Sequence, residues 1–142
     1  MYEFYVGTTP KDPPGNIVKV CLDSDGQLVD KSYYEAVSPA YLCRKGSCIY
    51  AVIENADFGG VQVFDVNKNG SLTAKARLDT EDVYSTYISA EKRGNRIFVA
   101  NYGTPSCAVY RYEAEKLVQE SVLREKKTEK SHIHCAALTP EE

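Results

Sequence analysis

Ile97-Phe98-Val99-Ala100-Asn101-Tyr102-Gly103 is the stretch from which the fold can be read. Its first four residues are apolar and β-prone, and its last three are of the small and polar types that turn a chain. The pattern occurs twice earlier, at Ile49-Tyr50-Ala51-Val52-Ile53-Glu54-Asn55 and at Phe4-Tyr5-Val6-Gly7-Thr8. Three copies of one strand-and-loop unit in 142 residues indicate a repeat, which governs every local assignment.

The register follows by subtraction. Leu22, Gly26 and Leu28 correspond to Val66, Gly70 and Leu72 at an offset of 44. Leu42 corresponds to Ile88, and Val63-Phe64 to Val109-Tyr110, at an offset of 46. Around the second and third reference strands the order is a short strand, the reference strand, a third strand, a turn and a returning strand; the first unit has the last three strands, and its turn and that of the second unit contain Gly26 and Gly70. The expected strands are 3–8, 17–22 and 28–34, then 40–43, 48–53, 61–66 and 72–78, then 85–90, 97–100, 107–112 and 117–123. The prolines and glycine of residues 9–15 mark a loop, and Arg44-Lys45-Gly46-Ser47 marks a turn. A unit of about 46 residues with four short strands fits a propeller blade. The reading is all-β: antiparallel four-stranded blades of an incomplete β-propeller, about three blades of a probable seven. The units are 1–38, 39–84 and 85–130, with the start of the next at 131–142.

Residues 113–127 compete with this reading, because Glu, Ala, Lys, Leu and Gln are good helix formers. In the repeat, Leu117 to Leu123 is instead the outermost strand of a blade, where charged residues protect an open edge. The strand reading is preferred.

Composition narrows the function. Hydrophobic residues make up 43% and charged residues 26%, as in a globular chain, and no apolar run approaches a membrane span. The net charge of −3 gives no basic face for nucleic acid. The amino terminus lacks the pattern of a secretory signal. Together with five cysteines in no CxxC spacing, this points to reduced thiols that serve as packing residues in a cytoplasmic protein. A closed propeller needs about four blades or more. The chain is therefore expected either to be part of a longer protein or to self-associate through open blade edges.

Several motifs carry a family likeness. They are Tyr5-Val6-Gly7-Thr8, Pro39-Ala40-Tyr41-Leu42 followed by Tyr50-Ala51-Val52 and Glu54, Gly70-Ser71-Leu72, Phe98-Val99-Ala100-Asn101-Tyr102-Gly103, and Ser131-His132-Ile133-His134. In this order they resemble the N-terminal portion of the cytosolic lactonase family of seven-bladed propellers, whose type member is a 6-phosphogluconolactonase. The chain departs from the family pattern at Ile53, Tyr87 and Ser131, where Asn, His and Pro are usual, and in a shorter loop from Cys43 to Ser47. The resemblance implies hydrolysis of a sugar lactone to its acid with no required cofactor, on a site at one mouth of the central channel. The alternative is a non-catalytic propeller fragment acting as an interaction scaffold.

In such a ring the first strand of each unit is innermost, so Tyr41, Thr86-Tyr87 and 132–135 are expected around one channel mouth. His132 and His134, two positions apart on an expected strand, share a face. Lactone hydrolysis needs a base for water and a donor for the oxyanion, and His suits the first task near neutral pH. His132 and His134 are the catalytic candidates. Glu54, Asn101, Tyr102 and Tyr87 are the substrate-binding candidates. The histidines could also ligate a metal, but no clustered third ligand is visible, so no metal site is assigned. Arg44, Arg93 and Arg96, which could bind a phosphate, fall in the turns between first and second strands.

Overall fold

The computed structural model describes residues 1–9, 15–126 and 131–139. Eleven strands among these form three antiparallel sheets. The first contains β1 (Tyr2–Gly7), β2 (Gly15–Leu22) and β3 (Leu28–Ala36) in the order β1-β2-β3. The second contains β4 (Leu42–Lys45), β5 (Cys48–Val52), β6 (Gly59–Val66) and β7 (Leu72–Thr80) in sequence order. The third contains β8 (Ser85–Ala90), β9 (Arg96–Asn101), β10 (Ser106–Glu113) and β11 (Lys116–Arg124), also in sequence order. The chain is all-β and adopts part of a propeller, as its repeat requires.

The sheets stack face to face. Ile17 and Ala36 of the first meet Ile49, Ala51 and Phe64 of the second, with Tyr5, Leu42, Val66 and Leu72 around them. The other face of the second sheet carries Tyr50, Val52, Val61 and Val63. It packs on Ile88, Ile97, Val99, Ala108 and Tyr110 of the third. Alternation assigns each residue to its face, because successive side chains of a strand point oppositely. β5 and β6 belong to the middle sheet and are buried on both faces, so they read as continuous apolar runs.

Polar groups lock the stack at its edges. Lys19 is buried, with its ammonium 2.8 Å from the Glu3 carboxylate and donating to the Asn69 carbonyl of the next sheet at 3.0 Å. The Tyr5 hydroxyl donates to the neighbouring Gly70 carbonyl at 2.8 Å.

The helix-prone segment is strand β11 as far as Arg124. Ala114 and Glu115, both with positive φ, form the two-residue turn that returns β10 into β11. Glu120 then meets Arg96 and Arg111, each at 2.8 Å, so charges spaced for a helix serve as cross-strand pairs.

Two expectations are corrected. The first strand of the second sheet begins at Leu42 rather than Ala40, because Ala40 N–H is drawn into a tight turn with the Ser38 carbonyl. That strand runs through Arg44 and Lys45, so the turn needs only Gly46 and Ser47, with Gly46 at a φ of 57°. Residues 131–139, expected to open a further blade as an innermost strand, belong to no strand. A strand needs a ladder of backbone hydrogen bonds to a neighbour, and this segment joins none of the three sheets. Most of the expected loop at 9–15 lies outside the described residues. No helix among the described residues is long and apolar enough to cross a membrane.

Candidate active site

The first strands β4 and β8 lie side by side at the inner edges of their sheets. The loops beside them are stitched together by backbone hydrogen bonds. Glu54 N–H donates to the Ser38 carbonyl at 3.0 Å, and Tyr84 N–H to the Asn55 carbonyl at 2.9 Å. Tyr102 N–H in turn donates to the Tyr84 carbonyl at 2.8 Å. Tyr84 adopts a φ of 52°, uncommon for a side-chain-bearing residue, and its ring is left exposed.

These loops enclose an open cavity of about 320 Å³ lined by Glu54, Tyr84, Thr86, Tyr102 and His134. His132 joins it through Tyr102. The two rings stack at a centroid distance of 3.9 Å with 1° between their planes, and His134 meets the same tyrosine edge-on at 5.1 Å. His132 Nδ1 lies 3.0 Å from the Tyr102 carbonyl oxygen. A carbonyl only accepts, so Nδ1 carries the hydrogen, and in the neutral ring Nε2 keeps its lone pair.

Of the sequence candidates, Glu54, Tyr102, His132 and His134 converge here, although the histidines reach the site from an irregular segment. The other two do not line the cavity. Asn101 is fully buried: Ser85 Oγ donates to its Oδ1 at 2.7 Å, and its Nδ2 donates to Ser106 Oγ at 2.9 Å. Its side chain is engaged in this buried network. Tyr87 packs against Tyr41 with the ring planes tilted 45° and the centroids 4.6 Å apart. Burial pushes its phenol above the usual range, with the Cys135 thiol and Tyr41 adding to the rise.

The Asn101-Tyr102-Gly103 motif thus divides into three tasks. Asn101 ties β9 to its neighbours, and Tyr102 supports the histidines. Gly103 lets the Tyr84 loop approach, since a Cβ there would come within 2.6 Å of the Tyr84 ring and 2.8 Å of Val83. Sequence reasoning missed Tyr84 as a site residue, because nothing in its type announces a positive φ.

The arginines point to other work. Arg44 is exposed on β4, its Nε donating to the Gly46 carbonyl at 3.3 Å. Arg96 is held between Glu91 and Glu120. A larger cavity of about 690 Å³ lies at the outer strands, where Asp82 pairs with Arg124. Its lining holds no histidine, so the smaller cavity is the stronger candidate for hydrolysis. Among the described residues no group of three or more His, Cys, Asp or Glu side chains could hold a metal ion.

Residues 3–142 match the family described as "Lactonase, 7-bladed beta-propeller". The chain belongs to this lactonase family. An uncharacterized protein of Staphylococcus epidermidis is 24% identical over 150 residues, covering 96% of this chain and 44% of that protein. Another from Staphylococcus saprophyticus is 26% identical over 151 residues, covering 97% of this chain and 44% of its own length. A crystal structure of a protein from Lactobacillus plantarum superimposes with a TM-score of 0.81 at 21% identity, covering 96% of this chain and 43% of that one. That similarity shows the propeller fold. The chain thus spans less than half the length of these relatives.

Proposed function

We propose that this chain carries part of the active site of a cytoplasmic lactonase of carbohydrate metabolism. The reaction is hydrolysis of a sugar lactone to its acid without a required cofactor. A 6-phosphogluconolactone-like ester of the pentose phosphate pathway is the favoured substrate, by the family resemblance. The observation that carries the proposal is the hydrogen bond from His132 Nδ1 to the Tyr102 carbonyl, which holds Nε2 as the basic nitrogen.

In this reading Nε2 takes a proton from water as the water oxygen bonds to the lactone carbonyl carbon. His134, on the cavity wall, donates to the oxyanion that develops. When the carbonyl re-forms, the ring C–O bond breaks and the leaving alkoxide takes the proton from His132. Glu54 and Tyr84 offer an acceptor and a hydroxyl to the sugar hydroxyls.

The test is release of acid from a sugar δ-lactone, followed at constant pH. His132→Ala should lower kcat/KM by about 10²–10⁴-fold, the usual contribution of a positioned base. His132→Asn keeps a donor near the Nδ1 position without the basic nitrogen and should not restore the rate. Wild-type activity in both His132→Ala and His134→Ala removes the assignment.

A further inference from the structure

Tyr84 occupies a backbone position that occurs twice in the repeat. Ser38 and Tyr84 are 46 residues apart, the offset of Leu42 and Ile88, and both have positive φ, 39° and 52°. Each gives its carbonyl to the loop after a second strand. Ser38 accepts from Glu54 N–H at 3.0 Å, and Tyr84 from Tyr102 N–H at 2.8 Å. The conformation is therefore a requirement of the fold, and a small residue meets it, since Ser38 is buried there. Tyr84 instead places an aromatic side chain, 41% exposed, on a backbone conformation that disfavours bulky residues.

A second position changes with it. Asn55 and Gly103 are 48 residues apart, the offset of Ile49 and Ile97. Asn55 Oδ1 accepts from Asp57 N–H at 2.9 Å and so turns its own loop. Gly103 has no side chain, and a Cβ there would come within 2.6 Å of Tyr84 Cδ2. The joint between the first and second sheets thus combines Ser38 with Asn55, and the joint between the second and third combines a large ring with a glycine that makes room for it. Core packing does not call for this exchange. The ring stands on the wall of the 320 Å³ cavity and belongs to neither core cluster.

The face of an aromatic ring carries partial negative charge and C–H groups carry partial positive charge, so a tyrosine accepts the C–H face of a saturated sugar ring. The rest of the lining suits the hydroxyls around such a ring: Glu54 accepts, and Thr86 and Tyr102 accept or donate. We infer that Tyr84 is a specificity-determining residue that stacks on the C–H face of a six-membered sugar lactone, an inference that rests on the lactonase reading above. The open-chain acid has no such face. Hydrolysis therefore removes the contact, and the product is held less tightly than the substrate.

NMR titration of the 142-residue chain tests this with two neutral probes that are not hydrolysed. One is the δ-lactam of gluconic acid, in which a ring N–H replaces the lactone ring oxygen; the other is glucitol, its open-chain counterpart. The wild type should bind the lactam about tenfold more tightly than glucitol, the scale of an aromatic stack with its buried area. Tyr84→Asn, a residue type that tolerates positive φ, should melt no lower than the wild type and bind the two probes equally. Tyr84→Phe loses the hydroxyl but should keep the preference for the lactam. Equal binding of the two probes by the wild type, or an undiminished preference in Tyr84→Asn, overturns the inference. The lactonase reading is judged separately. A Tyr84-dependent preference with wild-type turnover in His132→Ala and His134→Ala upholds the stack and removes the catalytic assignment. Loss of turnover in those variants with an unchanged preference in Tyr84→Asn does the reverse.

Discussion

Gln62 and the Val37 backbone are paired in both directions. The Val37 N–H donates to Gln62 Oε1 at 2.8 Å, and Gln62 Nε2 donates to the Val37 carbonyl at 2.9 Å. A side chain from β6 thereby serves as a strand partner for the segment that leaves the first sheet. Gln62→Ala removes both bonds and strands two backbone groups, a loss of about 2–4 kcal/mol. Urea denaturation should show a lower midpoint at unchanged slope; an unchanged midpoint would show that the pair carries no net stability.

Asn101 and Tyr102 are neighbours with separable roles. Asn101→Ala breaks the buried Ser85-Asn101-Ser106 network and should cost about 1–3 kcal/mol. The folded fraction should keep its KM for lactone within about twofold, since the side chain does not line the cavity. Tyr102→Ala should do the opposite, leaving stability nearer the wild type while kcat/KM falls at least tenfold through loss of the His132 stack. Kinetics and thermal melts on both variants decide this, and a larger kinetic than thermal effect at Asn101 would reverse the assignment.

Tyr110 is fully buried and its hydroxyl has no hydrogen-bond partner among the described residues. Burial pushes its phenol up to about 12; Thr80 beside it works the other way without reaching hydrogen-bond geometry. Below pH 10 the phenol is protonated in both folded and unfolded chains. Between about pH 10 and 12 only the unfolded chain gives up the proton, so stability falls as pH rises, by at most about 1.4 kcal/mol per unit. Tyr110→Phe should match or exceed wild-type stability at pH 7 and lose stability less steeply above pH 10. Equal alkaline slopes in the two proteins would contradict this.

Gly59 sits where the second and third sheets approach. A Cβ there would lie 2.2 Å from the Asp82 carbonyl oxygen and 2.5 Å from Ser85 Oγ. The backbone must therefore yield in Gly59→Ala, and Ser85, which accepts from Gly60 N–H at 3.0 Å, would be displaced with it. A loss of about 1–3 kcal/mol, the usual cost of overpacking, is expected in chemical denaturation. A fully stable alanine variant would mean that the two sheets can separate without penalty.

The sheets were legible because most strands alternate, β5 and β6 being continuous apolar runs, and most turns carry a Gly, Asn or Asp, as at Gly26 and Gly70, the Ala114-Glu115 turn being the exception. β11 was harder, since Glu120 suits a helix surface as well as it suits Arg96 and Arg111 on neighbouring strands. Only the repeat separated the two. The histidines were legible as a pair, but not the form of their segment, because pairing is a property of two segments and a sequence displays one. Asn101 was ambiguous for a related reason. A buried amide and a ligand-binding amide are the same residue type, and only the positions of Ser85 and Ser106 tell them apart.

The backbone bonds from Tyr84 to Asn55 and from Tyr102 to Tyr84 have a consequence for engineering. Three loops distant in sequence share one chain of amides, so lengthening any of them by a single residue would pull on the other two. Insertion libraries at this mouth should therefore yield folded protein when the loops are varied as a set, and seldom when one is altered alone.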